Sequence, residues 1–363
     1  MTSRERFLGC LNYEPVDRVF VYPFWYWPET LERWRAEGWD GTPFEDLFDF
    51  DRLIWCGHLF FPFPPFEEKT IEEDQSTRTY INHEGIVMKE FKEHRFTSMP
   101  QFIRFPVETR EDFHRFVAER LQPNLMERMG KNADETFKAW CERTAPLIII
   151  SDRWGGFFGA LRNLTGVERL CMLFHDDPRF VEEMMDTIVD FIIQMMDQIL
   201  DHTDIDMYGF WEDMAYKTAP LISPAMVRRF MLPRYRRVVN HLRSRGVKWI
   251  SLDSDGDINS LLPIWVEAGI NFLYPFENQS GMDVVQVRRQ YGKELRMLGN
   301  IDKKAIAAGP KAIDAEFERV RPVLREGGYI PMPDHSCPPD ISWKNICYFT
   351  ERLHEECKAA GRA

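Results

Sequence analysis

The chain has 363 residues, of which 44% are hydrophobic and 29% are charged, and its formal net charge is −12 at pH 7. This composition is typical of a globular protein with a large core, and the length fits one large α/β domain or two ordinary domains. The negative charge argues against wide contact with nucleic acid or with an anionic membrane.

The N-terminus and the cysteines together predict a cytoplasmic protein. No apolar signal segment follows Met1–Arg6, and no apolar run approaches the roughly 18 residues that are needed to span a bilayer. The seven cysteines include no Cys-x-x-Cys pair. In a chain of this length they are typical of reduced thiols in the cytosol.

Eight short apolar runs, most of them followed by a helical stretch, predict a (β/α)8 TIM barrel. The runs are Val19–Pro23, Leu53–Cys56, Leu147–Ser151, Met207–Trp211, Val247–Leu252, Asn271–Pro275, Leu295–Gly299 and Tyr329–Met332. The helical stretches in the second half of the chain are Ser223–Arg245, Ile258–Ala268, Asp283–Tyr291, Lys311–Glu326 and Ser342–Ala360. Strands that alternate with helices form parallel βαβ units, and eight units at this length fit a barrel better than an open sheet.

Two further segments belong to this plan. Phe60–Phe66 is rich in Pro and Phe, and Thr77–Phe91 alternates, which predicts an N-terminal loop and hairpin insertion at about residues 58–95. Methionines and isoleucines recur at helical spacing in Phe180–Leu200, which favours a buried core or a subunit face over a cofactor-binding face. We find no linker, so residues 1–363 are expected to form a single domain.

Acidic side chains gather at the predicted strand ends. Asp253-Ser254-Asp255-Gly256-Asp257 directly follows the run Val247–Leu252, and Asp334-His335 follows the last run. In a barrel the chemistry lies at the carboxyl ends of the strands. Clustered carboxylates raise one another's pKa or attract a cation. The site is therefore expected to hold a metal or a cationic group, or to keep a carboxylic acid protonated for proton transfer.

Two sets of residues follow from the strand ends. The residues expected to be catalytic, and equally to be metal ligands, are Glu212, Asp253, Asp255 and His335. The residues expected to contact the substrate are Trp25, Tyr26, Trp27, Arg153, Trp154, Tyr216, Lys217 and Glu277.

Helix capping is the competing interpretation for some of these acids. Asp257 precedes Ile258–Ala268, and Asp302 precedes a helical stretch that begins at Lys303, so both are predicted to be N-caps. A calcium loop does not fit the acidic turn. That loop requires glycine at its sixth position and glutamate at its twelfth, where this chain has Ile258 and Ile264.

Several short motifs follow one another in a fixed order along the chain: Arg6–Leu8, Pro15–Val19, Leu221–Pro224, Leu232–Tyr235, Asp255–Ile258, Glu267–Asn271, Gly281–Asp283, Leu298–Asp302, His335, Pro339–Ile341 and Asn345. Their order and spacing resemble those of the uroporphyrinogen decarboxylase superfamily, which also contains corrinoid-dependent methyltransferases. The resemblance covers nearly the whole chain. It implies a TIM barrel and a homodimer, although no local feature of the sequence demands a dimer.

One departure from the superfamily concerns the substrate. Its decarboxylases carry an arginine-rich stretch after the first strand that holds the propionates of the substrate, whereas this chain has Phe24–Trp27 there. A porphyrinogen with many carboxylates needs cationic partners, and this acidic mouth offers mainly Arg153 and Lys217. Uroporphyrinogen is therefore expected to be a poor substrate.

A second departure concerns the metal. The methyltransferases of the superfamily bind zinc through His-x-Cys after the fifth strand and Cys after the eighth. The matching positions here are Asp253, Asp255 and His335. With Glu212, such a set favours an oxygen-preferring or borderline divalent ion over a thiolate-type zinc site.

The favoured hypothesis is an enzyme that moves a methyl group from a small aromatic methyl ether to a corrinoid-binding partner protein. Asp253, Asp255, His335 and Glu212 would hold a metal or act as general acid, and Trp25–Trp27 would pack on the ring. One alternative is a decarboxylase that acts on a less charged substrate. Another is a non-catalytic barrel that binds a methylated amine in an aromatic cage lined by carboxylates.

Overall fold

The computed structural model describes residues 1–93 and 99–361, and for Asp152 the main chain only. Its centre is a curled sheet of seven parallel strands in the order β1-β6-β7-β8-β9-β10-β11. These strands are β1 Ile54–Cys56, β6 Leu147–Ile150, β7 Met207–Trp211, β8 Trp249–Asp253, β9 Phe272–Tyr274, β10 Arg296–Ile301 and β11 Tyr329–Pro333. A separate antiparallel sheet contains β2 Lys69–Glu73, β3 Thr77–Ile81, β4 Val87–Phe91 and β5 Gln101–Arg104.

The helices are α1 Ser3–Asn12, α2 Pro28–Ala36, α3 Phe44–Phe48, α4 Arg110–Arg120, α5 Leu125–Met129, α6 Ala133–Cys141, α7 Phe158–Thr165, α8 Val167–Asp176, α9 Pro178–His202, α10 Pro224–Met226, α11 Leu232–Ser244, α12 Leu262–Ala268, α13 Val284–Tyr291, α14 Lys303–Ala308, α15 Pro310–Glu326 and α16 Trp343–Ala360. Short 3-10 helices lie at His58–Phe60, Asp152–Trp154 and Asn278–Ser280, and a π-helical turn at Val227–Met231 joins α10 to α11. None of the helices in the described part of the chain is long and apolar enough to cross a bilayer.

Seven of the eight predicted apolar runs form strands, because β-branched and aromatic residues pack well when both faces of a strand are buried. The prediction of a regular strand at Val19–Pro23 is wrong. Its N–H groups bond outside the sheet, from Val21 to the Asp51 carboxylate at 2.9 Å and from Val19 to the carbonyl of Cys357 at 3.0 Å. Near this segment a single parallel bridge joins Tyr26 to Cys337. The closed eight-stranded barrel stays a prediction.

The predicted hairpin at Thr77–Phe91 is confirmed, since β3 and β4 pair antiparallel with Thr77 opposite Phe91. Whether residues 58–95 form an insertion stays a prediction, and residues 94 and 95 lie outside the described residues. The methionine-rich helix is confirmed as core: α9 buries Met184, Met185, Met195 and Met196 completely. The single domain at 1–363, of which 94–98 and 362–363 lie outside the described residues, stays a prediction.

The two predicted caps have different outcomes. Asp302 caps α14, where its carboxylate accepts the N–H of Lys304 at 2.8 Å. Asp257 does not cap a helix, because α12 begins only at Leu262. Its carboxylate instead accepts the N–H of Asn259 at 3.1 Å, two residues on, which closes a local turn.

Candidate functional site

A cavity of about 270 Å³ lies at the carboxyl ends of the central strands. The register of the sheet places Trp211 of β7 beside Asp253 of β8, and Asp253 beside Tyr274 of β9. Strand ends therefore meet at one edge, as expected of parallel βα units. We call this space the main cavity; its lining consists of Trp25, Trp55, Ile150, Trp211, Asp253, Asp255, Pro275, His335 and Ser336.

The turn that follows β8 is fixed by main-chain contacts to its neighbours. The N–H of Ser254 donates to the carbonyl of Tyr274 at 3.2 Å, and the N–H of Asp257 donates to the carbonyl of Tyr216 at 2.9 Å. Between them Gly256 has a φ of +83°, and a Cβ there would lie 2.6 Å from the carbonyl oxygen of Ala215. Only glycine fits this position, so the direction of Asp255 depends on it.

We expect Gly256→Ala to lower the free energy of unfolding by more than Gly281→Ala does. Both glycines have positive φ, which costs an alanine about 1–2 kcal/mol, but nothing lies within 4 Å of a Cβ at Gly281. The clash with the main chain at Gly256 adds a further ~1–3 kcal/mol. Urea denaturation of the two variants measures the difference, and equal losses would show that the turn can move away.

Asp255 and His335 face each other across the main cavity. The distance from His335 Nε2 to Asp255 Oδ2 is 3.5 Å, and the two side chains are 32% and 36% exposed. The hydrogen bond with Asp255 raises the pKa of His335, against the opposing effect of burial. The structure therefore favours a protonated imidazole that is reachable from solvent.

Three more charged groups interact electrostatically with this pair. Lys303 forms an ion pair with Glu277 at 3.1 Å, and both affect the charge of His335. Burial raises the pKa of Asp213, and the Arg162 guanidinium, 2.6 Å away, opposes this rise. The charges of Asp255 and His335 also act on Asp213. Asp213 has a φ of +40°, an uncommon conformation for a residue other than glycine. Lys303 and Asp213 were not among the residues expected from the sequence to form the site.

Glu212 lies away from the main cavity and is completely buried. Its carboxylate accepts the N–H groups of Phe157 at 2.8 Å and Gly159 at 2.9 Å, at the beginning of α7, and the hydroxyl of Tyr235 at 2.6 Å. Burial raises its pKa to about 7. These contacts anchor a helix to the end of β7. The N–H of Glu212 donates to the carbonyl of Asp253 at 2.9 Å, but its carboxylate does not join those of Asp253 and Asp255 in the lining of the main cavity.

Of the three consecutive aromatic residues Trp25–Trp27 that were expected to pack on a substrate ring, only Trp25 lines the main cavity. Tyr26 packs on Trp34 and Phe44, with ring centroids 6.0 and 5.0 Å apart, and Trp27 precedes the first residue of α2. The remaining wall comes from Trp55 and Trp211. Trp211 was noted at a strand end but not expected to contact substrate. Trp55 was missed, because an apolar strand of three residues does not reveal which side chain faces inward.

The other expected substrate contacts also lie outside the lining. Trp154 is completely buried and donates from Nε1 to Glu84 at 2.8 Å, while Arg153 lies 3.5 Å from the same carboxylate. Tyr216 is 70% exposed, and Lys217 follows it in the same loop. Contact of these residues, and of Glu277, with a substrate stays a prediction.

The expected metal ligands do not form a metal site as placed. Among the described residues, no group of three or more His, Cys, Asp or Glu side chains could hold a metal ion. Asp253 and Asp255 share the main cavity with His335, but Glu212 is held by α7 and Tyr235. Metal binding by these four residues stays a prediction from the sequence.

A family model and two curated relatives indicate the same protein family. The model of the family described as uroporphyrinogen decarboxylase (URO-D) matches residues 154–356. A uroporphyrinogen decarboxylase of Nocardia farcinica is 25% identical over 200 residues, which are 52% of this chain and 52% of that protein. One of Rhodococcus jostii is 28% identical over 195 residues, with the same coverage. The match thus spans about half the length of these curated relatives.

A solved structure described as a methyltransferase from Methanosarcina mazei has the same fold. The superposition has a TM-score of 0.58 at 16% identity and covers 98% of this chain and 99% of that one. At this identity the likeness extends to the fold alone.

Proposed function

Because the chain belongs to the uroporphyrinogen decarboxylase family, we propose that it is the methyltransferase type of this fold, which removes a methyl group from a small aromatic methyl ether. The observation that carries the proposal is the main cavity itself. Three tryptophans wall a space of about 270 Å³ that also contains the Asp255–His335 pair. Tryptophan faces suit an aromatic ring, and no arginine is among the residues that line the space.

In the proposed reaction the bond between the ether oxygen and the methyl carbon breaks, and its electron pair stays on the oxygen. A reduced corrinoid on a partner protein would supply the acceptor for the methyl group. Asp255 holds the His335 imidazolium through Nε2. The other ring nitrogen, Nδ1, which has no protein partner among the described residues, gives its proton to the oxygen. General acid catalysis of this kind contributes typically ~10²–10⁴ in rate.

Supporting features extend beyond the proton donor. The methyltransferase of Methanosarcina mazei has the same fold over nearly its whole length. The bridge between Tyr26 and Cys337 supports a further proposal, that residues 19–25 take the eighth position of a barrel. A homodimer is also proposed, on the family resemblance alone.

A second candidate is decarboxylation of a substrate less charged than uroporphyrinogen. The family match and the names of the curated relatives favour it. Here the His335 proton would replace the departing carboxyl group on carbon. The lack of an arginine cluster in the lining of the main cavity argues against the many propionates of a porphyrinogen.

Product analysis separates the candidates. The purified protein is incubated with methoxybenzenes and reduced corrinoid, and separately with aromatic acids. Phenol and methylated corrinoid in equal amounts support methyl transfer. Carbon dioxide from the acids without corrinoid supports decarboxylation and overturns the proposal. Tight binding of a methylated amine with no turnover of any compound also overturns it, in favour of a binding protein.

The Asp255→Asn substitution should move the basic limb of the pH–rate profile to lower pH. The pKa of His335 is raised by Asp255, so the proton donor is present below that pKa and is lost as pH rises through it. Without the carboxylate, burial and the charge of Lys303 lower the pKa of His335, and the charge of Glu277 is left to oppose them. Asp257→Asn, in the same turn but paired with Asn259, is the matched control. An unchanged limb in Asp255→Asn would contradict the assignment.

A further inference from the structure

A second and larger cavity of about 780 Å³ adjoins the main cavity. It opens where the sheet is incomplete, between residues 22–25 and the edge strand β1. Most of its wall is apolar, from residues such as Pro23, Phe24, Leu53 and Ala139. We call it the side cavity.

Trp25 and Trp55 line both cavities. Their rings meet edge to face with centroids 6.4 Å apart. Trp25 is partly buried, whereas Trp55 is 40% exposed. The pair therefore forms the partition between the two spaces, and a ring held against it in the main cavity lies next to the side cavity.

The charged side chains that line the side cavity differ in whether they already have ion-pair partners. Asp51 is fully buried, bonded to Arg6 at 2.7 Å and to Arg18 at 2.5 Å. Arg143 is 1% exposed and pairs with Asp206 at 3.2 Å. Arg52 is exposed, and its side chain makes no hydrogen bond or ion pair within the described residues.

We infer that the side cavity is a second compartment of the substrate site, which binds a carboxylate-bearing tail of the aromatic substrate through Arg52. This inference rests on the proposed function for the identity of the ring but not for the binding of the tail. Arginine binds carboxylates through two parallel N–H groups. Arg52 and Trp55 are three positions apart, a span of at most about 11 Å, which a short carboxyalkyl tail and the arginine side chain cover together.

The opposite charge is the main rival for this compartment. Glu45 also lines the side cavity, at the beginning of α3, and its charge acts on Tyr26. A ligand with an ammonium tail would use Glu45 instead of Arg52. The sign of the preferred tail therefore tests the inference directly.

The experiment measures binding of three probes by quenching of tryptophan fluorescence: 3-phenylpropanoate, 3-phenylpropanamide and phenethylamine. The wild type should bind the acid more tightly than the amide and the amine. Arg52→Gln should weaken the acid about tenfold, the range of a charged hydrogen bond, and leave the amide unchanged. Lys131→Gln, an exposed cation outside the lining of either cavity, is the matched control and should change neither.

A filled compartment gives a second test that does not depend on charge. Ala139 is exposed on α6 and lines the side cavity, so Ala139→Trp should occupy part of it without disturbing the core. This variant should weaken the acid and the amide alike and leave methoxybenzene, which fits the main cavity, unchanged. Tighter binding of the amine, equal loss of acid and amide in Arg52→Gln, or no binding of the acid would each overturn the inference.

The outcome can be separated from that of the proposed function, because 3-phenylpropanoate, 3-phenylpropanamide and phenethylamine, the probes for Arg52, carry no methyl ether. If the acid bound through Arg52 while no methoxyarene was demethylated, that result would support the role of the side cavity and disprove the methyl transfer. If Arg52→Gln demethylated substrates with and without a carboxylate as fast as the wild type does, the methyl transfer would stand and only the role of the side cavity would be disproved.

Discussion

The His335→Asn variant should lose about 10²–10⁴ in kcat for demethylation of an unactivated methoxyarene. The imidazole lies in the lining of the main cavity, and its pKa is raised by its ion-pair partner Asp255. Asparagine occupies a similar volume but cannot release a proton. The rate of phenol formation under saturating substrate measures the loss, and KM should change little because the tryptophan walls remain.

A matched histidine variant separates catalysis from stability. His175 is exposed on α8 and lies outside the lining of either cavity, so His175→Asn should retain full activity. Near-normal activity in His335→Asn would show that His335 is not the proton donor.

The Glu212→Ala variant should lower the free energy of unfolding by about 3–5 kcal/mol, the largest stability effect that we expect. The buried carboxylate accepts from the N–H groups of Phe157 and Gly159 and from the hydroxyl of Tyr235. Its loss leaves three buried donors without an acceptor. Urea denaturation followed by circular dichroism gives the difference.

Two variants control the Glu212 prediction. Tyr235→Phe removes one donor and keeps the carboxylate, so it should cost only about 1 kcal/mol. Glu212→Gln tests the sign of the pH dependence. The pKa of Glu212 is about 7 in the folded chain against an ordinary value of 4.5, so the folded state holds an extra proton between these values. Its contribution to stability therefore falls as pH rises through that window, and Gln should remove this slope. A loss below 1 kcal/mol in Glu212→Ala would show that water replaces the carboxylate.

The sequence could locate the central strands but not every hydrogen-bond partner. Leu147–Ile150 and Trp249–Asp253 form strands because their apolar residues are buried on both faces. Val19–Pro23 has the same pattern, yet the carboxylate of Asp51 takes the N–H of Val21. That contact joins residues 30 positions apart, and no local pattern reveals it.

The positions of the strands predicted some of the site residues but not all of them. Asp253, Asp255 and His335 meet because strand ends converge at one edge of a parallel sheet. Glu212 does not join them, since neighbouring side chains point to opposite sides of a strand, and Trp211 already faces the main cavity. The signal for this outcome, alternation at the end of β7, was present in the sequence.

The dependence of the His335→Asn defect on the leaving group tests the central claim most directly. A proton donor matters most when the departing phenolate is strongly basic and least when it is weakly basic. Demethylation of 4-methoxytoluene should therefore fall by about 10²–10⁴, whereas that of 4-nitromethoxybenzene should fall by about tenfold or less. The same loss for both ethers would show that His335 does not protonate the leaving oxygen and would contradict the account.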